Sequence, residues 1–202
     1  MKQLLFILFL SFGTSLCAQQ LVLNELMSAN DSTFLDEDGD FSDWVELYNP
    51  TSSTINLQNY TLSDGFAELE KWTFPSVSIP SEGFLIVFLS GKDRSYSGSE
   101  LHSNFKLKST GEYLILSNNQ GVIVDHFLPV DLDTDYSYGR VPDGSNTSGF
   151  LKESTPLSSN NNSDFIRFID FSHPQGFYSY SFNLEMTCSD SIYYTLDGSV
   201  PT

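Results

Sequence analysis

Basic residues are scarce in this chain: 9 Lys and Arg stand against 26 Asp and Glu in 202 residues. Such an excess of negative charge repels phosphate backbones and anionic lipid surfaces, so nucleic acid is excluded as an expected partner. Cysteine is scarcer still, with Cys17 and Cys188 alone. His102, His126 and His173 share no metal-ligand spacing with one another or with a cysteine, so no zinc centre is expected. There is no G-x-S-x-G elbow and no P-loop, and serines are too numerous for a Ser-His-Asp set to stand out. Helical periodicity is missing too; only Ala67 to Lys71 could form a single turn.

Apolar runs are short, and the longest opens the chain. Lys2 precedes the unbroken stretch Leu4 to Leu10, small and polar residues follow, and Ala18 fits the residue before a cleavage site. The pattern predicts a signal peptide over residues 1–18, too short to span a bilayer, and a secreted or cell-surface protein with no transmembrane segment in its mature chain. A lipid anchor on Cys17 fits less well, because Leu16 stands where such signals carry a small residue. Cleavage leaves 8 basic residues against 26 acidic ones, a net charge of −18. Cys188 is then the sole cysteine, so no internal disulfide can form. Sharing a strand face with Leu184 and Met186, it reads as a small buried hydrophobe.

What the chain has in plenty is aromatic and β-branched material, including 17 Phe and 10 Tyr. The stretch DEDGDFSDWVELYNP (Asp36 to Pro50) joins an acidic loop to a strand. Val45 and Leu47 fall on one face and Trp44, Glu46 and Tyr48 on the other, the period of two expected of a strand. Further strands are predicted at LVLNEL, INLQNYTLS, KWTF and the doubly apolar GFLIVFLS. GEYLILS and VIVDHF form a hairpin across Asn118 to Gly121, and Ser137 to Val141 adds a short strand before a Pro142-Asp143-Gly144 turn. Residues 92–103 read as a polar, mobile loop. Many short strands with regular turns predict an all-β antiparallel sandwich over residues 19–153. A linker over 154–163 (within TPLSSNNNSD) then leads to a truncated second sandwich over 164–202, too small to bury a core of its own.

The candidate site is acidic. Asp36, Asp38, Asp40 and Asp43, with Glu46 on the adjoining strand, offer the oxygens that Ca²⁺ requires, and Gly39 lets the loop curl. The D-x-D-G-D spacing is not that of an EF-hand, and a solvated acidic turn is the competing reading. Glu46 alone could instead be a half-exposed strand glutamate. Trp72, Tyr136 and Tyr138 could form a stacking platform for sugar rings, against ordinary strand packing.

At DWVELYNP the chain resembles the lamin-tail domain, and LVLNELMSAN, INLQNYTLSD, GEYLILSNNQGVIVD and SYGRVPDG with TPLSSNN follow the family's order over about residues 21–160. The resemblance implies an immunoglobulin-like sandwich and supplies no catalytic residue to place on this chain. Nuclear lamin tails are associated with DNA and chromatin; the export signal and acidity argue against the same here. GFYSYSFNLEMTC and YTLDGSVPT resemble the start of a chitobiase/β-hexosaminidase C-terminal-type sandwich. The expected function is non-catalytic: binding, spacing or anchoring within a larger exported bacterial protein, with a protein or glycan at the cell surface as partner and no cofactor unless calcium. The alternatives are an accessory domain of an enzyme whose catalytic part lies beyond residue 202, and a calcium-dependent carbohydrate-binding module.

Overall fold

The computed structural model describes residues 21–96, 98–160, 165–166, 170–173, 176–188 and 192–199; the predicted signal peptide lies outside them. The described residues contain strands and turns and no helix. In chain order the strands are β1 (Val22–Met27), β2 (Trp44–Tyr48), β3 (Ile55–Asn56), β4 (Thr61–Ser63), β5 (Trp72–Thr73), β6 (Ser78–Ile79), β7 (Phe84–Phe88) and β8 (Leu101–His102). They continue with β9 (Leu114–Ser117), β10 (Ile123–Phe127), β11 (Ser137–Arg140), β12 (Ser148–Leu151), β13 (Phe165–Ile166), β14 (Asp170–Phe171) and β15 (Met186–Thr187). One sheet runs β13-β12-β11-β1-β2-β7-β8 and the facing one β10-β9-β4-β5, with β3-β6 closing one side. All pairs are antiparallel except β7 with β8. This is the expected immunoglobulin-like β-sandwich.

Both sheets feed one core. Leu23, Leu26, Val45, Leu47 and Val87 from the larger sheet meet Leu62, Trp72, Leu114, Leu116 and Phe127 from the smaller. In β1 the two core leucines stand three apart, which strict alternation would put on opposite faces. A bulge between Leu23 and Glu25 restores them to one face. It also turns Glu25 to the outer face, directly across from Glu46 on β2. That face is itself covered, since Met27, Trp44, Ile86 and Phe88 form a second cluster under Phe34.

Three expectations change. The stretch read as a loop from residue 92 to 103 ends in β8, where His102 is fully buried, and Arg94 pairs with it across an isolated bridge. SGFL, unassigned from the sequence, forms β12 and pairs along β11. Of the stretch expected as a linker, residues 155–160 hydrogen-bond to the sandwich through Thr155, Leu157, Ser159 and Asn160, and 161–163 lie outside the described residues. The C-terminal part differs in kind. β14 pairs with β15, yet Phe171, Phe177, Leu184, Tyr193, Tyr194 and Leu196 remain exposed and Cys188 is only half-buried. Two short strands cannot bury these side chains without a further layer.

Candidate functional site

The five predicted acidic residues divide among three places. Asp36, Asp38 and Asp40 converge in the β1–β2 loop, and Asp43 and Glu46 do not join them. In the loop, Asp36 Oδ1 accepts the amides of Asp38 and Asp40, both at 3.0 Å, and Gly39 takes φ +82°, as its position in the turn demands. Asp36 Oδ2 accepts from Ser42 Oγ at 2.7 Å.

Carboxylate oxygens of Asp36, Asp38 and Asp40 lie within 4.8 Å of one another, the spread a small cation would need. The Lys92 ammonium sits among them, at 2.6, 2.7 and 2.9 Å respectively. Arg94 extends the network, pairing with Asp38 at 2.5 Å and Glu37 at 2.7 Å. Burial works against the charge on Asp36, but the hydrogen bonds from Lys92, Ser42 and the two amides outweigh it and hold its carboxyl at about 2. Lys92 is likewise disfavoured by desolvation, and its three carboxylates reverse that effect and raise its pKa. Asp43 stands apart, accepting the Asn30 amide at 3.2 Å, and burial raises its pKa.

Glu46 belongs to a second cluster that the spacing of acidic residues does not reveal. It is completely buried, with Oε1 accepting from Asn24 Nδ2 at 3.1 Å and Oε2 from the Leu157 amide at 2.6 Å. Glu25, also fully buried, accepts Ser137 Oγ at 2.5 Å, and its Oε2 lies 2.9 Å from the Thr155 hydroxyl oxygen. Asp143 completes the cluster from the β11–β12 turn, receiving Asn24 Nδ2 at 2.9 Å, the Asn160 amide at 3.0 Å and the Ser159 hydroxyl. No lysine or arginine forms an ion pair with these three carboxyls among the described residues. Burial therefore pushes Glu46 up to about 8, with its acidic neighbours Glu25 and Asp143 adding to the effect against its two hydrogen bonds. Burial raises Glu25 as well.

Geometry supports a proton on Glu25 independently. The single proton of the Thr155 hydroxyl faces two acceptors, Glu25 Oε2 at 2.9 Å and Asn160 Oδ1 at 2.6 Å. The Asn160 amide cannot be turned round, because its Nδ2 donates to the Arg140 carbonyl at 2.7 Å. A protonated Glu25 donating to Thr155 Oγ1 satisfies all three groups. The clue available in the sequence was the leucine spacing of LVLNEL, which forces the bulge and delivers Asn24 and Glu25 to the outer face.

Ser90 and His102 form a third polar arrangement, Oγ to Nδ1 at 2.9 Å. The ring lies on Phe88 with centroids 5.2 Å apart, burial lowers its pKa, and Nε2 has no partner among the described residues. Without a carboxylate on that nitrogen the imidazole is not oriented as in a catalytic triad. The aromatic platform is not assembled either. Trp72 is buried edge-on against Phe74 and Tyr138 lies under Phe150, while Tyr136 lines a separate cavity of about 300 Å³ with Asp131 and Asp133.

Among the described residues no helix is long and apolar enough to cross a membrane. No curated protein matches the chain. A family profile, the Lamin Tail Domain, matches residues 17–130, from the predicted signal junction through β10. With that match over more than half its length, and an all-β sandwich of immunoglobulin-like form, the chain belongs to the lamin tail domain family.

Proposed function

We propose that this is a non-catalytic interaction module of a larger exported protein, acting by binding, spacing or anchoring at the cell surface. The observation that supports this reading most is how the carboxylates are used. Asp36 closes a loop around Lys92, and Glu25, Glu46 and Asp143 clasp residues 155–160 to the larger sheet. Carboxyls committed to intramolecular donors stiffen a scaffold; a general acid or nucleophile must instead face a substrate. The family is an immunoglobulin-like one without a catalytic role, in keeping with this. Export rests on the leader-like residues 1–18, and a second sandwich of chitobiase C-terminal type rests on YTLDGSVPT near the C-terminus.

The test is to assay the purified chain on glycoside, ester and phosphomonoester substrates and, in parallel, on arrays of surface proteins and glycans. Saturable retention without turnover is expected. Turnover abolished by Glu46→Gln or His102→Ala would overturn the reading.

A further inference from the structure

One edge of the larger sheet is left open. β7 pairs with β2 along its whole length, but β8 covers its other side only at Val87 and Phe88. The backbone alternation assigns each group to a side. Gly83 O and Leu89 N bond toward the β2 strand, at Asn49 and Asp43, whereas Phe88 O accepts from Ser103 on the other side. Odd residues of β7 therefore face β2, and Phe84 and Ile86 present their amides to the open edge. No strand pairs with Phe84 to Ile86 there among the described residues.

Natural sheets protect such an edge with lysine, proline or a covering loop. FLIVF carries neither residue type. Beside it lies a cavity of about 430 Å³ whose walls include Val77, Leu85, Ile86 and Leu101, with Glu37 and Glu100 at its rim. Glu37 is neutralised by Arg94. Glu100 accepts the Glu37 amide and forms no ion pair among the described residues.

We propose that this edge receives an extended peptide segment of a partner protein, which adds a strand along Phe84 to Ile86. It seats an apolar side chain in the neighbouring cavity and places a lysine or arginine against Glu100. Strand addition takes its affinity from backbone hydrogen bonds and its selectivity from alternate side chains, and these are the two features set side by side here. The basic preference follows from the uncompensated Glu100 and from a chain whose acidic residues outnumber basic ones 26 to 9. The proposal rests on the interaction-module reading and names the surface and the ligand chemistry for it.

The test uses the full chain and a synthetic peptide, Lys-Val-Thr-Val-Thr-Val-Thr-Lys, titrated by anisotropy and by amide NMR. Binding should shift the Phe84 and Ile86 amide signals and slow their exchange with solvent. N-methylating the peptide on its edge-facing amides should abolish binding with the protein untouched, so loss of fold cannot mimic the result. Glu100→Gln should weaken binding by about fivefold and flatten its salt dependence, since a partly exposed ion pair contributes up to about 1 kcal/mol. Equal binding of the methylated peptide, no binding at all, or saturation without movement of Phe84 and Ile86 would each overturn the edge site. Those outcomes leave the broader reading standing, because that reading fails through substrate turnover and not through this peptide.

Discussion

Asp36 and Glu46 are ten positions apart in one loop-and-strand stretch, and both lose nearly all their solvent on folding. They end with opposite acidities: Asp36 is held at about 2 and Glu46 is pushed to about 8. Burial raises both. The difference is that Lys92 reaches into the first cluster, while the second draws only neutral donors from Asn24 and the Leu157 amide, with Glu25 and Asp143 as acidic neighbours. A buried carboxyl with a cation is an anion; one without a cation keeps its proton. The two clusters therefore make opposite demands on pH.

The largest expected effect comes from Glu46. Its folded pKa lies above the unfolded value of 4.5, so its proton favours the folded state. That contribution is complete below about pH 4.5 and is lost as pH climbs through about 8, on the order of 3 kcal/mol or more. Urea unfolding at stepped pH should show stability declining over this window, and Glu46→Gln should flatten the decline. A wild-type curve that is level or rising there would show that the cluster holds an ionised Glu46.

Next in size is the loss of the cation from the other cluster. Lys92→Met leaves Asp36 buried among carboxylates, a cost of about 2 kcal/mol once the partial exposure of Lys92 is allowed for. The acid limb should change with it. In the wild type, Asp36 contributes stability that is present above its unfolded pKa of 3.8 and is lost as pH falls through about 2. In the variant that limb should shrink, because Asp36 no longer gains from ionising. An unaltered acid limb would mean that Ser42 and the loop amides suffice without Lys92.

Thr155→Val probes the clasp with a smaller effect. It removes the hydroxyl between Glu25 and Asn160 while keeping the shape, and should cost about 1 to 2 kcal/mol by thermal or urea unfolding. A neutral result would mean that residues 155–160 are held by Leu157 and Asn160 alone.

The contrast between the clusters also marks how far the sequence could be read. Strands came through because core contacts repeat every two residues: Val45 and Leu47 against Trp44 and Glu46, and the apolar run of β7. The loop around Gly39 came through because a turn needs its residue types locally. Grouping Asp43 and Glu46 with that loop failed because adjacency along a chain says nothing about which face of a strand a carboxyl leaves from. The partners that decide the chemistry are distant: Lys92 is 56 residues from Asp36, and Leu157 is 111 residues from Glu46. TPLSSNN reads as a linker for the same reason. Its short polar side chains suit a flexible link equally well as a clasp, until Glu25, Glu46 and Asp143 are placed beneath them.

The smallest expected effect is that of calcium on the wild type. Three carboxylates with oxygens within 4.8 Å would suit a divalent ion, but Lys92 Nζ already stands 2.6 to 2.9 Å from all three. A calcium ion must either displace that ammonium into solvent, against the carboxylates that raise its pKa, or share the site with a like charge. Millimolar calcium should therefore leave the wild-type melting temperature unchanged and give no heat in a titration. Lys92→Met removes the competing charge and keeps the three carboxylates. In that variant calcium should recover stability by linkage, about 2.7 kcal/mol at a hundredfold excess over its dissociation constant, and Asp38→Asn in the same background should weaken the recovery. If the wild type responds as strongly as the variant, Lys92 is not the counter-ion that keeps the cluster closed, and Asp36 owes its low pKa to the loop amides and Ser42.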